Sequence, residues 1–278
     1  MTDKIRASYL SGYSDCARRS AARLFRREIE GLGYDLAPDQ KGIGSAIGTS
    51  VHAAAALTLR EKMATGSLAP LSAVTDCAVE TFGAEREAGI TFDQASPNSH
   101  DAEAQVVRMA AAYQRVIAPG IDPVVVEERL EADTSFGLTV SGQGDVLARE
   151  AGRLRDLKTG KNRGNHKPQL GAYSLIYKAH GHDVRECAED FLPRAPLKKP
   201  QPDPQSFGHD LEAAETAALN VLRHIASDLH TFRHGDDKRG ILAGDPWAFV
   251  ANPSSMLCGP KYCPAHGTPW CREWREKE

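Results

Sequence analysis

The 278-residue sequence has no apolar run approaching the ~20 residues that cross a bilayer. Behind Met1-Thr2-Asp3-Lys4-Ile5-Arg6 there is no apolar leader segment, so secretion is not expected and the expected location is the cytoplasm. The formal net charge is only −3, which excludes a polycation; any nucleic-acid contact must come from a local basic patch. Six cysteines are too few for a secreted disulfide scaffold. The glycine-rich stretch Lys41-Gly42-Ile43-Gly44-Ser45-Ala46-Ile47-Gly48 lacks the Gly-Lys-Ser/Thr ending of a phosphate loop, and no such ending occurs elsewhere, so no ATPase or helicase is expected on this chain. No internal repeat or low-complexity segment is present. Hydrophobic residues make up 41% and charged residues 26%, an ordinary globular balance with enough chain to bury a core.

Periodicity predicts a helix over 8–30, with apolar Tyr9, Tyr13, Cys16, Ala17, Ala21, Leu24 and Phe25 opposed by Arg18, Arg19, Arg23, Arg26 and Arg27. After the glycine-rich loop, Thr49-Ser50 cap a second helix running to about Met63. Two more helices are predicted over 69–89 and 99–117, the latter announced by Ser96-Pro97-Asn98-Ser99. From Pro123 the character changes to strands at 124–127, 138–147 and 154–158, with a hairpin turn at Arg149-Glu150-Ala151-Gly152. A helix over 166–180 follows, then a strand from Val184 to Leu192. Residues 193–206 hold five of the sixteen prolines and read as an irregular connection before a long amphipathic helix over 209–233. The fold class is α/β or α+β around a small mixed sheet flanked by helices. One domain is expected, with a helical part at 1–120, a sheet core at 121–195, and a C-terminal helix and Cys-bearing tail at 205–278.

A two-residue hairpin loop at Glu150-Ala151 makes Asp145 and Asp156 direct cross-strand neighbours, with Cβ atoms roughly 4.5–5.5 Å apart. Two carboxylates at that spacing repel, and a divalent cation between them removes the repulsion. All-oxygen ligation at a partly open position suits Mg²⁺ or Mn²⁺. Lys158 projects from the same strand face as Asp156, where a cation offsets charge developing on a phosphate. A surface hairpin with scattered charges is the bland alternative. Gln169 and Tyr173, four apart, share a helix face.

At these residues the sequence resembles the PD-(D/E)XK nuclease superfamily, in particular its RecB-like branch. Four motifs occur in that family's order: Gly48-Thr49-Ser50-Val51-His52, Gly142-Gln143-Gly144-Asp145, Asp156-Leu157-Lys158, and Gln169-Leu170-Gly171-Ala172-Tyr173. The resemblance covers about residues 48–177. It implies that His52, Asp145 and Asp156 ligate the divalent metal, that Lys158 is the catalytic lysine, and that Gln169 and Tyr173 organise the site and contact DNA. Glu127 or Glu128 stands where some members carry a further acidic residue. Lys161, Arg163 and Lys167 follow closely and would meet flanking phosphates. The implied activity is metal-dependent DNA hydrolysis. Exonuclease action on single-stranded DNA or duplex ends is favoured, because no separate domain for reading a target sequence is visible.

Cys258, Cys263 and Cys271 cluster in the tail with x4 and x7 spacing, and Cys16 is the best candidate for a fourth thiolate. RecB-like nucleases of the AddB and CRISPR-adaptation types carry such an arrangement around a 4Fe–4S cluster, which needs thiolate ligands. This tail departs from the commoner Cys-x2-Cys-x5-Cys pattern. His266 lies inside it, so a zinc site of Cys258, Cys263, His266 and Cys271 is the competitor. Cys77 and Cys187 are expected as free core thiols. Other readings are a non-catalytic DNA-binding or assembly subunit, and a CRISPR-adaptation partner that trims DNA ends. A separate helicase, recombinase or integrase partner, a role in DNA repair or recombination, and a homo-oligomer are all compatible with the sequence.

Overall fold

The computed structural model describes residues 2–272, so the last six residues of the predicted tail lie outside the described residues. Strand β1 (Asp3–Arg6) leads into α1 (Leu10–Asp15), α2 (Ala17–Leu24) and α3 (Arg26–Gly31). Next come α4 (Ile43–Thr65), α5 (Leu71–Glu87) and α6 (Ser99–Val116). The strands β2 (Pro123–Val126), β3 (Arg129–Asp133), β4 (Leu138–Gln143), β5 (Val146–Ala148) and β6 (Arg153–Gly160) follow. Then α7 (Lys167–Ala179), β7 (Glu186–Pro193), β8 (Gln205–His209), α8 (Leu211–His234) and the short α9 (Pro269–Arg272) complete the order. This is the expected mixed α/β architecture. Among the described residues no helix is long and apolar enough to cross a membrane.

Two sheets form. One has strand order β1-β4-β3, with β1 parallel and β3 antiparallel to β4. The other has order β2-β5-β6-β7-β8, with β6 and β7 parallel and its remaining pairs antiparallel. Alternation along β6 divides its side chains between two cores. Leu154 joins the cluster built on α7, α8 and the N-terminal helices, while Leu157 joins the one built on α4, α5 and α6. Asp156 and Lys158, two and four residues beyond Leu154, therefore point to the α7 side.

The structure corrects several sequence expectations. The predicted 8–30 helix is broken twice. Cys16 adopts an extended backbone (φ −152°, ψ 101°), and Phe25 also leaves the helical range. The break at Cys16 is sustained by the tail: Asn252 donates from Nδ2 to Asp15 O at 3.0 Å and from its main-chain N to Cys16 Sγ at 3.5 Å. Two of the arginines that oppose the apolar positions are themselves buried. Arg18 donates to the carbonyls of Phe249 and Pro246, and Arg19 pairs with Asp15. The glycine-rich stretch is not a loop. The helix starts at Ile43, so Thr49-Ser50 lie inside α4, because burial of Ile43, Ala46, Ile47 and Val51 on one face outweighs the low helix propensity of glycine. Strands β1, β3 and β8 have no counterpart in the sequence expectation; β8 falls partly in the proline-rich segment, whose last proline is Pro204, just before it.

Candidate active site

The expected 138–147 strand divides at Gly144-Asp145, and its halves enter different sheets. The expected carboxylate register nevertheless holds. Val146 faces Arg155 and Leu147 faces Leu154, which places Asp145 opposite Asp156 just where the ladder opens. The connecting turn is wider than a two-residue loop, since pairing ends at Ala148 and Arg153. Ala151 (φ 54°) and Gly152 (φ 53°) adopt left-handed backbone there, and a Cβ on Gly152 would lie 2.4 Å from Asp183 O.

Two glycines bring the remaining elements close. A Cβ at Gly48 would stand 2.9 Å from Thr159 Oγ1, so α4 lies directly over β6, with His52 one turn further on. Gly48 does this from inside the helix, not at its entry. A Cβ at Gly142 would meet the Tyr173 ring at 2.6 Å, so the ring rests on β4.

His52, Asp145, Asp156, Lys158, Gln169 and Tyr173 all line one open cleft of about 800 Å³. They form two bonded runs that meet along β6. His52 Nδ1 lies 2.9 Å from Asp145 Oδ1, and Asp145 Oδ2 accepts the Leu157 N–H at 2.5 Å. Lys158 Nζ lies 2.6 Å from Asp156 Oδ2 and donates to Gln169 Oε1 at 2.9 Å. Gln169 Nε2 donates to Tyr173 Oη at 2.7 Å. Of the two acidic alternatives, Glu127 lines the cleft and pairs with Arg60 at 3.0 Å; Glu128 faces His182 instead.

The electrostatics separate the two aspartates. Burial would raise the Asp145 carboxyl, but the charge and hydrogen bond of His52, Lys158 and the Leu157 N–H hold it below the ordinary value. Asp156 is raised: burial acts first, Lys158 opposes it, and the Asp145 charge adds to it. Burial likewise raises Glu127, with Asp145 again contributing. Burial opposes a charge on His52, but the Asp145 carboxylate prevails and lifts its pKa.

The donor chemistry of this set, one imidazole and two carboxylates beside a main-chain segment, fits a hard divalent cation. Asp156 Oδ2 is buried against the Lys158 ammonium at 2.6 Å, so a bound ion would share this carboxylate with the lysine. In the structure the carboxylates are compensated by His52 and Lys158. Among the described residues no group of three or more His, Cys, Asp or Glu side chains converges tightly enough to ligate an ion.

The three basic residues stand apart from the cleft wall. Lys161 pairs with Asp93 at 3.2 Å. Arg163 lies 3.3 Å from Glu189 and stacks over the Phe207 ring, and Lys167 is exposed at the start of α7. The cleft also contains Ser8, Arg129, Gln143 and Thr159, none of which is among the expected site residues. Arg129 and Gln143 are register partners between β3 and β4, and without β3 no pattern could pair them.

The cysteines form a second assembly. Cys16, Cys258, Cys263 and Cys271 line one small cavity together with Arg19 and Asn252, and His266 is not part of its wall. Burial raises the Cys263 thiol, and the nearby Cys16 and Cys271 reinforce the shift. Cys187 is buried and Cys77 half-buried, away from this cavity.

A family model described as the PD-(D/E)XK nuclease superfamily matches residues 7–272. Among curated proteins no significant match is found. The crystal structure of a "Putative exonuclease" from Eubacterium rectale superposes with a TM-score of 0.58 at 11% identity, covering 92% of this chain and 87% of that one. The crystal structure of SSO0001 gives a TM-score of 0.34 at 10% identity over 79% of this chain and 75% of that one. The former likeness supports the fold.

Proposed function

This chain belongs to the PD-(D/E)XK nuclease superfamily, and we propose that it is a Mg²⁺- or Mn²⁺-dependent deoxyribonuclease that trims single-stranded DNA or duplex ends. The observation that carries this reading is the convergence of all six motif residues on one cleft, in two bonded runs, His52 to Asp145 to the Leu157 N–H and Asp156 to Lys158 to Gln169 to Tyr173. His52, Asp145 and Asp156 would hold the cation, which when bound would activate water and neutralise phosphate charge. Lys158 supplies a positive charge beside the reacting phosphate. Gln169 fixes the Lys158 ammonium, and Tyr173 fixes Gln169, so the lysine is held in place before substrate arrives. Glu127, restrained by Arg60, adds a further carboxylate at the cleft wall. We read the chain as one nuclease domain acting in the cytoplasm, with any DNA-unwinding motor or integrase supplied by a separate partner.

The test is cleavage of end-labelled oligonucleotides with Mg²⁺, Mn²⁺ or chelator, using Asp156→Ala and Lys158→Ala as controls. Each variant should lose at least ~10²-fold in cleavage rate while still binding DNA. Wild-type protein that binds but never cuts with either metal would instead favour a DNA-binding or assembly subunit.

The shared cavity of four cysteines supports a 4Fe–4S cluster held by Cys16, Cys258, Cys263 and Cys271, over a zinc site that uses His266. Anaerobic preparation should give a brown protein with about four iron atoms per chain, lost in Cys16→Ala. A colourless protein with about one zinc, retained in Cys16→Ala and lost in His266→Ala, would overturn the assignment.

A further inference from the structure

Beside the cleft lies a second pocket of about 390 Å³, and Gly44 and Ser45 at the start of α4 form a wall common to both. Its size falls within the range of ligand sites, roughly 300–1,000 Å³. Lys161, Arg194, Lys261, Asp93 and Tyr262 line it. Three cations therefore face one carboxylate.

The carboxylate is already engaged. Arg194 Nη2 lies 2.5 Å from Asp93 Oδ2, and Arg194 also donates to Ser96 Oγ at 2.7 Å, so this buried arginine is a fixed part of the floor. Lys161 reaches the same Asp93 oxygen at 3.2 Å but remains half exposed. Lys261 has no carboxylate partner among the described residues; its ammonium lies 5.4 Å from the Tyr262 ring centroid. The surplus positive charge therefore sits on the two lysines at the mouth of the pocket.

Tyr262 is 45% exposed, while its main chain is held on both sides. Its carbonyl accepts from Arg23 Nη2 at 2.7 Å, and its N–H donates to Gly259 O at 3.0 Å. An anchored, half-exposed aromatic ring that shares one pocket with two lysines is a combination that binds single-stranded nucleic acid: bases stack on the ring while the cations follow the phosphates. Inside a duplex the base faces are already stacked, so apart from its terminal pairs duplex DNA would gain only the charge contacts.

We propose that this pocket is a nucleotide subsite on the path of single-stranded DNA leading to the cleft, with Lys161 and Lys261 holding a phosphate and Tyr262 stacking a base. The proposal rests on the nuclease reading above and adds to it a preference for an unpaired strand.

The test measures binding of the full chain to a fluorescein-labelled oligothymidylate and to a blunt duplex, in Ca²⁺ at several salt concentrations, alongside cleavage kinetics in Mn²⁺. Lys161→Gln and Lys261→Gln should each reduce the slope of log K on log salt by about 0.7 for the single strand. Tyr262→Ala should weaken single-strand binding roughly 5- to 150-fold, Tyr262→Phe should restore it, and blunt-duplex affinity should stay near wild type. KM should rise with kcat unchanged, since the cleft residues are untouched. Wild-type cleavage with unaltered KM, affinity and salt slope in the variants overturns the subsite and leaves the nuclease reading standing. Equal losses on strand and duplex in Tyr262→Ala overturn the stacking role. Wild-type protein that neither binds nor cuts DNA overturns the nuclease reading and the subsite with it. Lys261 and Tyr262 lie at the surface, and Lys261→Glu provides a charge-reversal check that folding does not confound.

Discussion

Gly171 and Gly83 both sit inside helices, and the same substitution to alanine should have opposite effects at the two. In α5, a Cβ at Gly83 would meet nothing within 4 Å. Gly83→Ala should therefore show only the helix-propensity gain, about 0.5–1 kcal/mol. In α7, a Cβ at Gly171 would lie 1.9 Å from Ala214 O and 2.6 Å from Glu215 N, both main-chain atoms at the start of α8. Main chain cannot rotate away, so the helices must part by roughly 1.5 Å to reach the edge of ordinary contact. Overpacking of this kind costs about 1–3 kcal/mol and sometimes more, which exceeds the propensity gain. Helices α7 and α8 make one of the most extensive packings in the chain, and Leu170 and Ala214 share a small buried cluster there. The shift is transmitted to the site, because Gln169 is two residues from Gly171 and its 2.9 Å bond to Lys158 does not survive stretching by that amount. Urea denaturation followed by circular dichroism should show Gly83→Ala more stable than wild type and Gly171→Ala less stable by about 1–2 kcal/mol or more. Cleavage should fall in Gly171→Ala alone. Equal or greater stability in Gly171→Ala would refute the close-approach reasoning.

The Arg155–Asp190 pair is bidentate and buried, with contacts of 2.9 and 2.6 Å, so Asp190→Ala leaves a buried guanidinium with the Ser206 hydroxyl but no compensating carboxylate and should cost about 3–5 kcal/mol by chemical denaturation. Little change would show that water reaches Arg155. At Asp93, burial would raise the carboxyl, but the Arg194 and Lys161 contacts prevail and hold it well below the usual range. A depressed folded-state pKa gives stability that is present above about pH 4 and lost as pH falls toward the folded value. Asp93→Asn should thus lower Tm at pH 6, with the gap to wild type closing as acid is added; a gap that ignores pH would sink the assignment. Burial pushes the Cys187 thiol up to about 11, so under native conditions at pH 8 it should resist a thiol reagent that reacts after denaturation. Rapid native labelling at Cys187, read by peptide mass spectrometry, would contradict its burial.

The motifs of the candidate site are legible in the sequence because each carries its own local spacing. The i, i+4 relation of Gln169 and Tyr173 needs only a helix, and the i, i+2 relation of Asp156 and Lys158 needs only a strand. The register that sets Asp145 against Asp156 can be counted from the turn, although the turn itself differs, because ladder pairing fixes the sum of partner numbers. The features that escape the sequence depend on distant chain. Cys16 interrupts its helix in partnership with Asn252, and Arg18 is buried by carbonyls more than 200 residues away. No window along the sequence contains either partner. Strand β3 is invisible because its burial alternates between exposed and half-exposed, so the apolar signal that marks a strand is weak. The start of α4 is misread for the opposite reason: the glycines signal a loop, but the buried face of Ile43, Ala46, Ile47 and Val51 holds the helix, and Gly48 within it lets Thr159 approach.

The division of the chain at Gly144-Asp145 explains why the site lies where it does. A continuous strand from Leu138 to Ala148 would commit every backbone group to one ladder. Instead β4 and β5 diverge into separate sheets, and the groups left at the fork need partners. Side chains and one crossing main-chain bond provide them. Asp145 Oδ2 takes the Leu157 N–H, Asp145 O takes the Glu127 N–H at 3.0 Å, and the Tyr177 hydroxyl reaches the carbonyls of Gly144 and Glu128. Glu127 can turn into the fork because its backbone is left-handed (φ 51°), a strained setting for a residue with a side chain. The opening thus places Glu127, Asp145 and Asp156 on one cleft, while α4 carries His52 across the top and α7 carries Gln169 and Tyr173 along the flank. Restoring an ordinary ladder at this point would satisfy the backbone and close the cleft. The break is therefore what the fold exchanges for its carboxylate cluster, and the compensating Tyr177 contacts predict that Tyr177→Phe loosens the fork: activity should fall by more than the loss of one hydrogen bond, about 0.5–1.5 kcal/mol of stability, would suggest. Cleavage rates and denaturation of that variant, measured side by side, decide it; full activity at reduced stability would show that Tyr177 supports the fold without shaping the site.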